Sequence, residues 1–84
     1  MNDLKKRVLL LGGAGTLGSD ILSANLKNYD FFVVDNFADS TLNESELGEF
    51  CQYKNADVAD LVAIEGIFEN FKPDVVLYLA TTLS

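Results

Sequence analysis

The chain has 84 residues, 49% of them apolar and 23% charged, the profile of one small folded domain rather than a disordered chain. Six basic residues face thirteen acidic ones, a formal net charge of −7, which excludes a general basic surface for nucleic acid. One cysteine and no histidine leave no internal disulfide, no histidine-activated thiol and no metal-ligand spacing, so Cys51 reads as a small buried side chain.

In chain order, Val8–Leu11 is a continuous apolar run behind Lys5, Lys6 and Arg7. It is too short for a secretory leader, and Gly12 and Gly13 break it. No apolar run is long enough to cross a membrane, and the expected location is the cytoplasm. The run suits a strand buried on both faces. After the glycines, Leu17, Ile21, Leu22 and Leu26 recur at helical spacing and predict an amphipathic helix of about three turns. "YDFFVVD" is a second buried strand ending at Asp35. "NFADSTLNESELGEF" reads as a polar loop with one helical turn near Glu44–Leu47. "FCQYKNAD" is a weaker strand. Asp60 caps a helix running to Phe71, with Leu61, Ile64, Ile67 and Phe68 expected on its inner face and Gly66 weakening it. Pro73 stops that helix, and "DVVLYLA" is a last buried strand.

Strands alternating with helices imply an α/β fold, with a parallel sheet joined by right-handed crossovers. The expected strand order is 3-2-1-4, half of a doubly wound sheet. That order puts Val75–Ala80 at an edge, apolar at every position and without proline, lysine or inward charge to blunt it. Self-association through this edge, or marginal stability, is the expectation. No repeat or internal domain boundary interrupts residues 1–84.

Gly12, Gly13, Gly15 and Gly18 lie between a buried strand and an amphipathic helix. A helix N-terminus presents unpaired N–H groups and a partial positive charge, and a phosphate satisfies both. Gly12, Gly15 and Gly18 form G-x-x-G-x-x-G; Gly13, Gly15 and Gly18 form G-x-G-x-x-G. Gly12 suits the tight turn, Gly15 the approach of a pyrophosphate, and Gly18 close packing of helix on strand. Asp35 ends the next strand, where a carboxylate accepts from both ribose hydroxyls of an adenosine and repels a 2′-phosphate. The expected ligand is therefore a dinucleotide, NAD rather than NADP.

These segments resemble the extended short-chain dehydrogenase/reductase family, the NAD-dependent sugar epimerases and dehydratases. "VLLLGGAGTLGS" resembles that family's "VTGGAGFIGS". "VVDNFADS" is similar to its "DN…S" segment, "NADVAD" to "GDIRD", and "KPDVVLYLAT" to "PDVVFHLAA". Leu11 and Tyr78 depart from the threonine and histidine common there. The resemblance implies the N-terminal part of a Rossmann domain. It implies that Thr16 and Leu17 offer backbone N–H groups to the pyrophosphate, and that Asn36 and Ser40 lie with Asp35 near the adenosine ribose. It places Asp57 and Val58 at the adenine, and Leu79, Ala80 and Thr81 at the nicotinamide-side ribose. The family's catalytic Tyr-x-x-x-Lys pair is absent from these residues. Four positions after Tyr29, Tyr53 and Tyr78 stand Val33, Asp57 and Thr82. The resemblance implies hydride transfer on the sugar ring of a nucleotide-sugar in a complete enzyme, with cofactor binding as this segment's share. A non-catalytic NAD(P)-binding sensor or regulatory module, and a sheet without a ligand, remain as other readings.

Overall fold

Strand β1 (Lys6–Leu11) is the centre of the molecule, because both of its faces must be covered. Val8, Leu9, Leu10 and Leu11 are all buried, and alternate residues of a strand point to opposite faces. Val8 and Leu10 enter one core cluster with Leu22, Phe31, Val33 and Leu47. Leu9 and Leu11 enter a second, with Val34, Ile64, Ile67 and Phe71. The computed structural model describes residues 5–38 and 40–79. In chain order these form β1, α1 (Thr16–Asn25), β2 (Tyr29–Asp35), α2 (Glu44–Gly48), β3 (Gln52–Asn55), α3 (Leu61–Phe71) and β4 (Val75–Tyr78). All pairings are parallel, as the alternation of elements predicts, and the sheet order is β3-β2-β1-β4, the order expected for half of a doubly wound sheet. The fold is Rossmann-like and partial.

The two clusters sit on opposite faces of the sheet. Helices α1 and α2 cover one face through Leu22 and Leu47, and α3 covers the other. Helix α2 extends the single turn expected near Glu44. Asn43 accepts from the Glu46 N–H while the Glu46 carboxylate accepts from the Asn43 N–H, a reciprocal cap worth about 1 kcal/mol. Helix α3 begins with the Asp60 carboxylate accepting from the Ala63 N–H. It ends at Lys72, whose φ of 54° turns the chain before Pro73. Arg7 then ties the end of α3 to β1. Its guanidinium donates to the Phe71 carbonyl at 3.3 Å, where a cation meets the negative end of the helix dipole. Its backbone N–H donates to the Asp74 carboxylate at 2.8 Å.

Three burial expectations need correction. Leu61 and Phe68 are not inner-face residues of α3; Leu61 is 72% exposed. At about 100° per residue the buried stripe runs through Ile64, Ile67 and Phe71, which leaves Leu61 and Phe68 together on its flank. Leu17 is 60% exposed, because the first turn of α1 lies over the glycine loop instead of the sheet. Strand β4 is apolar yet 36–60% exposed along Val75–Tyr78. Among the described residues it pairs with β1 alone and is the edge strand, and Ala80 of the expected edge lies outside the described residues.

Gly18 is where α1 meets the backbone of the loop. A Cβ there would fall on the Gly13 carbonyl group, whereas a Cβ at Gly66 in α3 meets nothing within 4 Å. Gly18→Ala is therefore expected to lower unfolding free energy by about 2 kcal/mol or more. Gly66→Ala is expected to raise it by about 0.5–1 kcal/mol. Urea denaturation of the two variants beside the unmodified chain measures both, and equal effects would overturn the packing role assigned to Gly18.

Candidate functional site

Parallel strands bring their C-terminal ends to one edge of the sheet, and the expected site residues lie just beyond those ends. Residues 12–18 follow β1, residues 35–40 end and follow β2, Asp57 and Val58 follow β3, and Leu79 follows β4. Ligands of doubly wound sheets bind in the crevice at this edge.

The loop after β1 is held tightly. Gly12 takes a φ of 87°, a conformation glycine enters without a Cβ penalty, and its N–H donates to the Val34 carbonyl at 2.7 Å. A Cβ on Gly13 would stand 2.9 Å from both Leu10 Cβ and Val33 Cγ1, so Gly13 is confined by the sheet beneath it. The Ala14 N–H donates to the Asp35 carboxylate at 3.0 Å. The Ala14 carbonyl accepts from the N–H groups of Thr41 at 2.8 Å and Leu42 at 3.1 Å. Asp35 also accepts from the Phe37 N–H at 2.8 Å, through its other oxygen. One carboxylate thus joins the loops after β1 and β2. Each oxygen retains acceptor capacity, since an ionised carboxylate accepts about four hydrogen bonds. Phe37 takes a φ of 60° and sets its ring edge-on to Tyr53, 5.8 Å between centroids.

Helix α1 opens differently from α2 and α3. Its N-cap is Gly15 and no side chain caps it; its first turn, like that of α3, holds no acid. The first N–H groups of an α-helix have no acceptor within the helix, which applies to Thr16 and Leu17 here. Gly15 itself has φ −77° and ψ −176°, extended backbone open to any residue. A Cβ at Gly15 meets nothing within 4 Å. The fold does not require glycine at 15; an anion approaching the backbone would. The donors, the absence of nearby acid in α1 and the open approach all fit a pyrophosphate.

The remaining expected residues lie around this cradle. The Asn36 side chain accepts from the Ala38 N–H at 3.0 Å, and Ser40 is half-buried. Asp57 accepts from the Ala59 N–H at 2.8 Å, which sets the turn after β3. Val58 is half-buried against the cluster of Leu9, Leu11 and Val34. The Leu79 N–H donates to the Leu11 carbonyl at 2.8 Å, and its side chain packs on the other cluster. Ala80 and Thr81 lie outside the described residues. Two contributors are absent from the expected set. Gly13 is legible only as the start of the second glycine pattern, and Thr41 carries no sequence signal. A groove of about 630 Å³ beside α3, lined by Arg7, Asp30, Gln52 and Asn70 among others, includes none of the expected residues. It lies toward the starts of the strands, away from the uncapped helix end and its donors.

The NAD dependent epimerase/dehydratase family matches residues 8–84. The dTDP-glucose 4,6-dehydratase of Salmonella typhimurium is 34% identical over 80 residues, covering 88% of this chain and 22% of that protein. The crystal structure of the Bordetella bronchiseptica enzyme WbmG in complex with NAD superposes with a TM-score of 0.83 at 30% identity, over 99% of this chain and 27% of that one. The UDP-glucose 4-epimerase of Thermotoga maritima, solved with UDP-glucose, superposes with a TM-score of 0.80 at 29% identity, over 93% of this chain and 25% of that one. The chain spans about a quarter of the length of these proteins.

Cys51, half-buried against the α1 face of the core, is a packing residue. Burial pushes its thiol pKa up to about 11, from an ordinary 9.0. The native state then keeps its proton while the unfolded chain releases it. The associated stability is present below pH 9 and is lost as pH rises toward 11. Iodoacetamide at pH 8 is expected to label the folded chain far more slowly than the urea-unfolded chain. The unmodified chain is also expected to lose more stability than Cys51→Ala between pH 9 and 11. Equal labelling rates, or identical pH profiles, would refute this placement.

Proposed function

The chain belongs to the NAD-dependent epimerase/dehydratase family, and from that premise we propose that it binds NAD at the C-terminal edge of its sheet. The observation that carries this reading is Gly15. It is a glycine the fold does not require, placed in open space at the only long-helix N-terminus among the described residues that no side chain caps. Gly12, Gly15 and Gly18 shape the loop, and the N–H groups of Thr16 and Leu17 receive the pyrophosphate. Asp35, with Asn36 and Ser40, holds the adenosine ribose. Asp57 accepts from the adenine amino group, and Val58 lies against the ring. Leu79, with Ala80 and Thr81, takes the nicotinamide-side ribose.

Cofactor choice follows from charge. The Asp35 carboxylate suits ribose hydroxyls and repels a 2′-phosphate, and neither Asn36 nor Phe37 offers a cation to offset it. NAD, when bound, supplies a hydride acceptor and donor. The residues of this chain bind it, orient it and set its loops. In a complete enzyme that chemistry acts on the sugar ring of a nucleotide-sugar, as the names of the epimerase and dehydratase relatives suggest.

Gly15→Val separates ligand from fold. Its backbone angles suit a branched residue, so unfolding free energy is expected to stay within about 0.5 kcal/mol of the unmodified chain, while calorimetric titration shows NAD binding abolished. Unchanged affinity in the folded variant would remove this loop as the phosphate site. The unmodified chain is expected to bind NADP at least about tenfold more weakly than NAD, equivalent to about 1.4 kcal/mol. Reversal is expected only for Asp35→Ser combined with an arginine at 36 or 37. Comparable affinities of the unmodified chain for both dinucleotides would overturn the assignment to Asp35.

A further inference from the structure

The segment that follows β2 returns to grip the glycine loop, and it does so through Thr41. The Thr41 and Leu42 N–H groups both donate to the Ala14 carbonyl, at 2.8 and 3.1 Å. The Thr41 hydroxyl shares a hydrogen bond with the Thr16 hydroxyl, 3.0 Å apart. On the other side of the same residue, the Ala14 N–H is held by Asp35. Ala14 is therefore fixed on both of its peptide faces by residues from the end of β2 and beyond. Thr16, the first residue of α1, is fixed through its side chain by the same strap.

We infer that Thr41 is a positioning residue of the cofactor site: it holds Ala14 and Thr16 so that the first turn of α1 keeps its N–H groups aimed at a dinucleotide's pyrophosphate. The inference rests on the reading of this edge as an NAD site and deepens it. Thr41 is itself exposed, so its hydroxyl contributes no core packing that would explain the contact. Its partner lies 25 residues earlier in sequence, and both threonines stand in loops or at a helix start that the fold leaves open to solvent. Holding the loop before the ligand arrives lowers the ordering cost of binding. The hydroxyl pair matters to the pyrophosphate end of the ligand, because Thr16 adjoins the donors that receive it. The adenosine end is served by Asp35 and the turn after β3, which the hydroxyl pair does not touch.

The test compares the full chain with Thr41→Val, Thr41→Ser, Thr16→Val and the Thr16→Val/Thr41→Val pair. Calorimetry reads NAD affinity, chemical-shift titration reads adenosine affinity, and thermal unfolding confirms that each variant folds. Each single valine variant is expected to bind NAD about three- to tenfold more weakly, the range for loss of one hydrogen bond. The double variant is expected to be no weaker than either single one, because both remove the same bond. Thr41→Ser is expected to bind NAD like the unmodified chain, and adenosine affinity is expected to stay constant throughout. Unchanged NAD affinity in Thr41→Val and Thr16→Val overturns the positioning role while leaving the NAD site intact. An equal fall for NAD and adenosine also overturns it, since a general loosening of the site would then account for the loss. No NAD binding by the unmodified chain overturns the functional reading itself, and this inference with it.

Discussion

Helix α1 reaches the sheet only because nothing but hydrogen stands between Gly18 and the Gly13 carbonyl group. A single methyl group there would fall on the backbone of the loop, and Gly13 has no room for a side chain either, since a Cβ on it would meet Leu10 and Val33. From that contact the geometry of the whole edge follows. Gly12 must turn sharply to leave β1, the first turn of α1 must lie over the loop, and Leu17 is carried out into solvent. The same approach brings Ala14 within reach of Asp35 at the end of β2.

At this edge the three helices differ in how their N-termini are satisfied. Helices α2 and α3 spend side chains on their own N-termini, Asn43 with Glu46 and Asp60. Helix α1 forgoes a cap, which costs about 1 kcal/mol relative to one, and leaves its donors available. The Asp35 carboxylate holds the loop before that helix. It takes the Ala14 and Phe37 N–H groups, each a charge-assisted bond stronger than a neutral one. Because this carboxylate also serves the proposed ribose, its replacement for a change of cofactor disturbs the loop as well as the ligand. Gly15 is the complementary case, a residue the fold does not require and the proposed pyrophosphate contact would.

Apolar surface stays exposed at β4 and along the Leu61–Phe68 flank of α3 among the described residues. A strand that is apolar on both faces belongs inside a sheet with helices above and below. Among the described residues β4 has one neighbouring strand, and the similar proteins named above are about four times as long.

Much of this was legible in the sequence because it depends on neighbours in the chain. Apolar runs of strand length, the helical spacing of Ile21, Leu22 and Leu26, and glycines between them establish the element order. A strand-helix alternation in turn implies parallel strands, and 3-2-1-4 is the order of half a doubly wound nucleotide-binding sheet. Asp35 at the end of β2 and the glycines before α1 mark the edge proposed to receive a dinucleotide. What only the tertiary structure decided involves partners far apart in sequence. Arg7 on the Phe71 carbonyl spans 64 residues, and the Thr16–Thr41 contact spans 25. Gly13 is confined by Val33 of the neighbouring strand, and Leu61 is exposed because of which flank of α3 the sheet leaves uncovered. Periodicity specifies which residues share a face, but the crossing of elements in space decides which of those faces meets another.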